Sequence, residues 1–355
     1  MAKVLMKGNE ALAEAAIRSG CLHFFGYPIT PQTELPEYMS RKLPQVGGVF
    51  LQAESEVAAI NMVYGAAGAG FRCMTSSSSP GIALKQEGIS YIAGACLPCV
   101  IVNIVRGGPG LGGIQPAQSD YYQVTRGGGD GDYRLIVYAP ANLQEAVDIM
   151  QEAFDISDFY RVPVMIVGDG MIGQMMEPVE FKEENIPTKE LPAKDWATTG
   201  TKGERKPNII NSLFLEPQAL EDHNIALGKV YEEITKNETR YEAVGLEDAD
   251  CVCVAYGTTA RIVENAIEEC KKEGLKVGII RPITLWPYPE KAFDLINKDC
   301  KGILCCEMSM GQMIDDVKIS VNGRFDVHFY GRVGGMIPEP DEIVACIKKI
   351  IGGEK

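Results

Sequence analysis

The sequence predicts an α/β protein, a parallel-sheet domain followed by a smaller α/β domain, and three observations predict it. Short apolar runs of strand length alternate with longer runs of helical pattern, the order of a parallel sheet with crossover helices. The alternation fails between about Glu177 and Asp248, where prolines at 178, 187, 192, 207 and 217 and dense Lys and Glu replace it. It then resumes to the end of the chain. A connection that long is uncommon inside one compact domain. The boundaries expected are therefore 1–178 for the first domain, 179–247 for an extended linker carrying a helix, and 248–355 for the second domain.

Each element follows in order. VLM reads as a first strand, and the helix from Asn9 is stopped by Gly20. LHFFGY begins the next unit, LPEYMSRKL reads as a helix and GVFLQAE as a strand. SEVAAINMVYGAAGAG reads as a helix whose Ala and Gly residues allow close packing. FRCMTSS, PCVIVNIV, YRLIVYA and VPVMIVGD read as strands, with the helix LQEAVDIMQEAFDIS between the last two. The linker should wrap the first domain and end in a helix near HNIALGKVYEEITKNETRY. The second domain then runs strand CVCVAYG, helix TARIVENAIEECKKEG, strand KVGIIR, helix PEKAFDLINK, strand GILCCE, helix MGQMIDDVKIS, strand FDVHFYG and helix PDEIVACIKKII.

Composition excludes several function classes. With 355 residues and 46% hydrophobic content the chain has room for two domains with full cores. Its 34 Lys and Arg are scattered among 48 Asp and Glu, for a net charge of −14, which argues against nucleic acid or an anionic membrane as partner. The opening MAKVLMKGNEALAEAAIRSG is interrupted by Lys3, Lys7, Glu10 and Glu14 and has no apolar signal-peptide core. No run approaches the ~20 apolar residues that span a bilayer, so a cytoplasmic protein is expected. Eleven cysteines, an odd count, favour reduced thiols over a disulfide framework and would suit an oxygen-poor cell. Cys96-Leu-Pro-Cys99 has CxxC spacing but no second pair beside it, and metal or cluster sites need about four ligands. A structural role is expected for it.

The candidate functional residues lie at strand ends. In GYPITPQTE, Pro28 and Pro31 fix their own φ and push Tyr27 and Thr30 out of the α region, making a stiff exit from the strand LHFF. Thr30 then stands at the carboxyl end of a strand, where open α/β sheets bind ligands. Thr30 or Thr33 could equally cap the following helix. Gly108-Pro-Gly110-Leu-Gly112-Gly113 fits GxGxxG, but Ile114-Gln115-Pro116-Ala117 opens no amphipathic helix, so a backbone-exposing loop is expected rather than a dinucleotide site. That argues against a nicotinamide dehydrogenase. Gly257-Thr258-Thr259 offers either N–H groups for an anion or a helix cap. Glu54 or Glu56 in LQAESEVAA and Arg106 in NIVRGGPGLGG complete the set. Each has a structural reading, the acids at a helix dipole and the arginine in an ion pair. Together with Thr30 they would bind a small carboxylate beside a heterocycle.

These residues resemble a known family. GYPITPQTE, LQAESEVAAINMVYGAAGAG, MTSSSSPGIALKQEGISYIAG, CVIVNIVRGGPG, QPAQSD and EMSMGQM are similar to motifs of the 2-oxoacid:ferredoxin oxidoreductases, over essentially the whole chain. The pattern is closest to the α subunit of the branched-chain type, which acts on 2-oxoisovalerate (3-methyl-2-oxobutanoate). The resemblance implies a pyrimidine-binding thiamine diphosphate domain first and a transketolase C-terminal-like domain second. It implies oxidative decarboxylation of the oxoacid with coenzyme A to acyl-CoA and CO2, electrons passing to ferredoxin, in anaerobic metabolism. Glu56 matches the glutamate on the cofactor's aminopyrimidine ring, and Glu54 matches no such role. Thr30, in the motif opened by Pro28, matches the threonine that meets cofactor and substrate, and Arg106 matches the residue that binds the 2-oxoacid carboxylate.

Two copies of GDG, at Gly129–Gly131 and Gly168–Gly170, lack the downstream Asn-Asn pair that thiamine diphosphate enzymes use to hold the metal on the diphosphate. Both are expected to be turns. The resemblance therefore implies half an active site in a heterotetramer. A β subunit would bring the diphosphate site with its Mg, and iron–sulfur clusters would lie in partners that include small γ and ferredoxin-like δ subunits. Two alternatives stay open: a 2-oxoglutarate enzyme, with Arg126 as the extra cation, and a noncatalytic scaffold.

Overall fold

The computed structural model describes residues 3–182, 187 and 189–353. Seven strands form the first sheet, in the order β12-β6-β7-β5-β4-β2-β3. These are β2 (His23–Gly26), β3 (Val49–Gln52), β4 (Cys73–Ser77), β5 (Val100–Val105), β6 (Ile136–Tyr138), β7 (Val164–Asp169) and β12 (Thr284–Trp286). All pair in parallel except β12, which joins the edge antiparallel to β6. The central strands β4, β5 and β7 are buried along their whole length, which is why β5 and β7 read as mostly apolar runs, while β4 ends in the buried hydroxyl residues Thr75, Ser76 and Ser77.

Helices cover both faces: α1 (Gly8–Arg18), α2 (Glu34–Lys42), α3 (Glu56–Gly68), α4 (Ser79–Gly94), the short α5 (Tyr121–Thr125), α6 (Leu143–Tyr160) and the short α7 (Gly170–Gln174). Their starts are chemically marked. Ser55 caps α3 by accepting from the Ala58 N–H at 3.2 Å, and Asn142 caps α6 by accepting from the Glu145 N–H at 2.9 Å. Two apolar clusters fill the faces: α1 and α6 pack on one side around Phe24, Val102 and Ile166, and α3 and α4 on the other around Ile60, Ile89 and Ile101.

The second sheet has the order β14-β13-β10-β11-β9, built from β9 (Tyr241–Val244), β10 (Cys251–Val254), β11 (Val277–Pro282), β13 (Gly302–Glu307) and β14 (Val327–Gly331). Helices α9 (Gly257–Lys272), α10 (Met313–Val321) and α11 (Pro340–Gly352) flank it. Between the sheets, α8 (Pro217–Glu238) buries only Leu227, Ile234 and Glu238. Arg281 on β11 joins the two halves: its guanidinium grips Glu145 of α6 with two bonds of 2.9 Å and Glu242 of β9 at 2.8 Å.

Four local expectations are corrected. VLM is no part of the parallel sheet: β1 (Val4–Lys7) pairs antiparallel with β8 (Met176–Val179) in a separate ribbon. Val4 and Leu5 stay 48% and 62% exposed, so they lack the two buried faces of a central strand. Tyr241–Val244, read as part of the linker, is an antiparallel edge strand on β11. Thr284–Trp286, for which no strand was expected, returns to the first sheet. PEKAFDLINK forms only a 3-10 helix over Glu290–Leu295, beginning just after Pro287 and Pro289.

Candidate active site

The turn after β2 is held from several sides. The Pro31 carbonyl accepts from the Asn9 amide at 2.8 Å and the Gln174 amide at 3.2 Å, and both amides also reach Glu34. Gln32, fully buried, accepts from the Ser76 hydroxyl at 2.5 Å. Arg106 donates through Nη1 to the Thr30 carbonyl at 2.9 Å. These bonds fix the backbone while Pro28 and Thr30 themselves stay exposed. Thr30–Pro31 is a cis bond. Thr33 occupies the N-cap of α2 with helical angles and makes no side-chain cap, so the capping role is not taken up there. Pro28 lines a groove of about 210 Å³ with Phe50 and Gln52.

The structure separates the two acids. Glu54 is exposed, whereas Glu56, the first residue of α3, is 7% exposed. A methyl group added at Gly81 would lie 2.8 Å from Glu56 Oε1 and 2.1 Å from Ser77 Oγ, so the carboxylate rests against the first turn of α4 beside the end of β4. Among the described residues, the buried hydroxyls of Ser77 and Ser78 have no hydrogen-bond partner. A buried carboxylate near an unsatisfied hydroxyl is an arrangement that a polar heterocycle would complete.

Arg106 directly follows β5, with 7% exposure. Its Nη2 donates to the Leu111 carbonyl at 3.2 Å, and its Nε is buried with no partner among the described residues. The guanidinium is thus partly engaged by backbone carbonyls and keeps an unsatisfied N–H. Behind it, Ser79 Oγ accepts from the Arg106 N–H at 3.0 Å, and Asp120 accepts from Asn103 at 2.9 Å. Burial pushes the Asp120 carboxyl up, opposed by its bonds to Asn103 and Ser79 and by the Arg106 charge. The glycine loop beyond Arg106 is no helix start. It folds back on itself, with Gly113 N–H on the Gly107 carbonyl at 2.8 Å, and a Cβ at Gly112 would fall 1.8 Å from that carbonyl. Leu111 at its tip is 84% exposed.

The remaining motifs meet at the junction between the sheets. Gln118 of QPAQSD donates to the Tyr256 carbonyl at 2.9 Å and accepts from Thr259 Oγ1 at 2.8 Å and the Met308 N–H at 3.0 Å. Thr258 donates to Asp169, which also caps α7, so the second GDG, which ends β7 and opens α7 instead of forming a turn, binds the first turn of α9, which GTT opens. Burial raises the Asp169 carboxyl against these bonds. Glu307 of EMSMGQM is fully buried and accepts from Ser309 Oγ at 2.9 Å and from the Met313 and Ile314 N–H groups at 3.0 Å each. Arg126 forms a two-bond ion pair with Asp316 at 2.9 and 3.0 Å. It borders a cavity of about 630 Å³ with Trp286 and Lys236, apart from Thr30, Glu56 and Arg106.

All eleven cysteines are free, and burial raises the thiols of Cys96 and Cys99. Among the described residues no three or more His, Cys, Asp or Glu are grouped to hold a metal ion. No described helix is long and apolar enough to cross a membrane.

Comparison with known proteins places this architecture. The family model for pyruvate flavodoxin/ferredoxin oxidoreductase, thiamine diphosphate-binding, matches residues 14–245, and that for pyruvate:ferredoxin oxidoreductase core domain II matches residues 249–343. The chain belongs to the 2-oxoacid:ferredoxin oxidoreductases. Among curated members of this family, it is 46% identical to ketoisovalerate oxidoreductase subunit VorB of Methanothermobacter thermautotrophicus, over 99% of both chains. It is 34% identical to 2-oxoglutarate synthase subunit KorA of the same organism, over 97% of this chain and 98% of that one. In structure it is similar to the 2-oxoglutarate:ferredoxin oxidoreductase from Magnetococcus marinus with 2-oxoglutarate, coenzyme A and succinyl-CoA bound. That likeness has a TM-score of 0.83 at 26% identity and covers 98% of this chain and 65% of the other. As a 2-oxoacid:ferredoxin oxidoreductase subunit, the chain has an α/β fold with a thiamine diphosphate-binding domain.

Sequence reasoning missed Gly81 and Lys85. Both lie inside the quoted SSSSPGIALKQEG, where a lysine in an otherwise apolar helical stretch was the available signal.

Proposed function

We propose that this chain is the α subunit of a ketoisovalerate:ferredoxin oxidoreductase and contributes the aminopyrimidine side of the cofactor site together with the substrate contacts. The reaction is oxidative decarboxylation of 2-oxoisovalerate with coenzyme A, giving acyl-CoA and CO2, with ferredoxin as electron acceptor. The observation that carries the reading is Glu56, a buried carboxylate near the unsatisfied hydroxyl of Ser77 at a strand end. Bound there, thiamine diphosphate supplies the electron sink on which a 2-oxoacid loses CO2.

The protein's part is positioning and proton placement. Glu56 holds a proton at ring nitrogen N1′ of the aminopyrimidine. Thr30 presents its exposed hydroxyl to the substrate from a turn too constrained to drift, and loose positioning would cost rate. Arg106 serves twice: two N–H groups tie down Thr30 and Leu111, and the unsatisfied Nε marks the remaining donor capacity for a substrate carboxylate. Pro28 keeps the exit from β2 stiff.

Full-length identity of 46% with a ketoisovalerate subunit, against 34% with a 2-oxoglutarate subunit, favours the branched-chain substrate. Arg126 points the same way, because the cation that a distal carboxylate would need is already paired with Asp316. In this reading a β subunit brings the diphosphate and Mg site, and γ and δ subunits complete the iron–sulfur chain to ferredoxin. Eleven free cysteines fit work in the reducing cytoplasm.

The test is anaerobic viologen reduction by the chain assembled with its partner subunits, supplied with 2-oxoisovalerate, 2-oxoglutarate or pyruvate, with and without coenzyme A. Reduction fastest with 2-oxoisovalerate and dependent on coenzyme A is expected. Preference for 2-oxoglutarate would overturn the substrate and keep the chemistry. No reduction by an intact, cofactor-loaded complex would leave the chain a scaffold.

A further inference from the structure

Arg106 stands one residue beyond the sheet ladders. β4 pairs with β5 only as far as Ser77 opposite Asn103, and β7 only as far as Asp169 opposite Val105. A buried peptide group in that place must find its hydrogen bonds elsewhere. Ser79, the first residue of α4, supplies both of them: its hydroxyl accepts from the Arg106 N–H at 3.0 Å and donates to the Arg106 carbonyl at 3.3 Å. One side chain thus stands in for the strand neighbour that is lost where β4 turns into helix.

Ser79 is itself held. Its N–H donates to Asn103 Oδ1 at 3.1 Å, and Asn103 Nδ2 donates to Asp120 at 2.9 Å, all three residues being buried. Further along α4, the fully buried Lys85 donates to Thr75 Oγ1 at 2.7 Å and to the Ser76 carbonyl at 3.0 Å, which pins the helix to the end of β4. Gly81, two residues after Ser79, is the place against which Glu56 rests. The first turn of α4 therefore meets both the backbone of the arginine and the carboxylate of the acid.

We propose that Ser79 is a positioning residue for Arg106: its hydroxyl locks the backbone of residue 106 to the turn of α4 that seats Glu56, so the substrate carboxylate is received at a fixed place relative to the cofactor ring. The inference rests on the reading of Arg106 as the carboxylate site given above. A guanidinium fork matches a carboxylate bidentately only in a narrow range of orientations. It hangs on a long side chain, so any freedom at the backbone root is carried to the fork and weakens the grip on substrate.

The test follows viologen reduction by the assembled complex against the concentration of 2-oxoisovalerate. Ser79→Ala is expected to raise KM about tenfold, the worth of one hydrogen bond at the root of the arginine, with kcat and thiamine diphosphate affinity changed far less. Because Ser79 acts only through Arg106, the same substitution should leave KM unmoved in an Arg106→Met background. An equal rise in KM in both backgrounds, or a wild-type KM in Ser79→Ala with only a lowered melting temperature, means that the hydroxyl merely ties α4 to the end of β5. Either result overturns the inference and leaves Arg106 in its place. A wild-type KM in Arg106→Met overturns the reading of Arg106, and the inference with it. If Ser79→Ala does not assemble, Ser79→Cys fills the same space with a weakly hydrogen-bonding sulfur. A raised KM is then expected, and a wild-type KM overturns the inference.

Discussion

Two corners of the molecule both drew attention as motifs, and they use their polar groups in opposite ways. Around β2, β4 and β5 the backbone is tightly bonded, yet the hydroxyls of Ser77 and Ser78 and the Nε of Arg106 are buried without partners among the described residues, and Thr30 is exposed. At the junction, Gln118, Thr258, Thr259, Asp169 and Glu307 are consumed by one another and by backbone groups. Buried polar atoms are normally satisfied. A motif that satisfies itself holds the fold together, and one that leaves donors and acceptors open has hydrogen-bonding capacity left, which in the reading proposed above a ligand takes up.

The widest break between the corners comes from Glu307. Removing its carboxylate in Glu307→Ala strips Ser309, Met313 and Ile314 of their acceptor in a fully buried place. The expected loss of stability is about 3 kcal/mol or more, read from denaturant unfolding, with thiamine diphosphate affinity of the surviving folded complex within about twofold of wild type. A collapse of cofactor affinity without loss of stability would put Glu307 in the wrong corner.

Gly81→Ala should do the reverse. The added methyl would sit 2.1 Å from Ser77 Oγ and 2.8 Å from Glu56 Oε1, so the carboxylate must move. Displacement by about an ångström at a reacting group costs on the order of 100-fold in rate, and viologen reduction should slow by about that much while the complex still assembles. A wild-type rate in Gly81→Ala would mean that the place of the Glu56 carboxylate does not matter.

The same contrast explains what could be read from the chain alone. VIVNIV and VMIVGD are buried on both faces and announce themselves as strands. GYPITPQTE and NIVRGG put their functional candidates at strand ends, a local property of sequence order. Thr284–Trp286 is different: three residues after a proline become a strand only because the edge of β6 is there to receive them. Tyr241–Val244 depends on β11 in the same way. Gly81 carries no local sign of its part and Lys85 only that of a lysine in an apolar helical stretch, because the arrangement exists only once α3 and α4 pack together and bring residue 56 against residue 81. Of the two acids in LQAESEVAA, spacing could not choose between them, while burial does: Ser55 starts the helix, which turns Glu56 inward and leaves Glu54 outside.

The smallest effect sharpens the comparison where the two corners could be confused. Arg126 is the cation a 2-oxoglutarate enzyme would recruit, yet here it lies with the junction, fork to carboxylate with Asp316 of α10 and stacked over Tyr122. Its side chain is 42% exposed, so the pair is screened by water and worth at most about 1 kcal/mol. Arg126→Ala should therefore lower the melting temperature slightly and leave the ratio of rates on 2-oxoisovalerate and 2-oxoglutarate unchanged. If Arg126 instead left Asp316 to meet a distal carboxylate in the working complex, the substitution would cut the 2-oxoglutarate rate selectively. A ratio shifted tenfold or more toward 2-oxoisovalerate would move Arg126 from the junction into the substrate site.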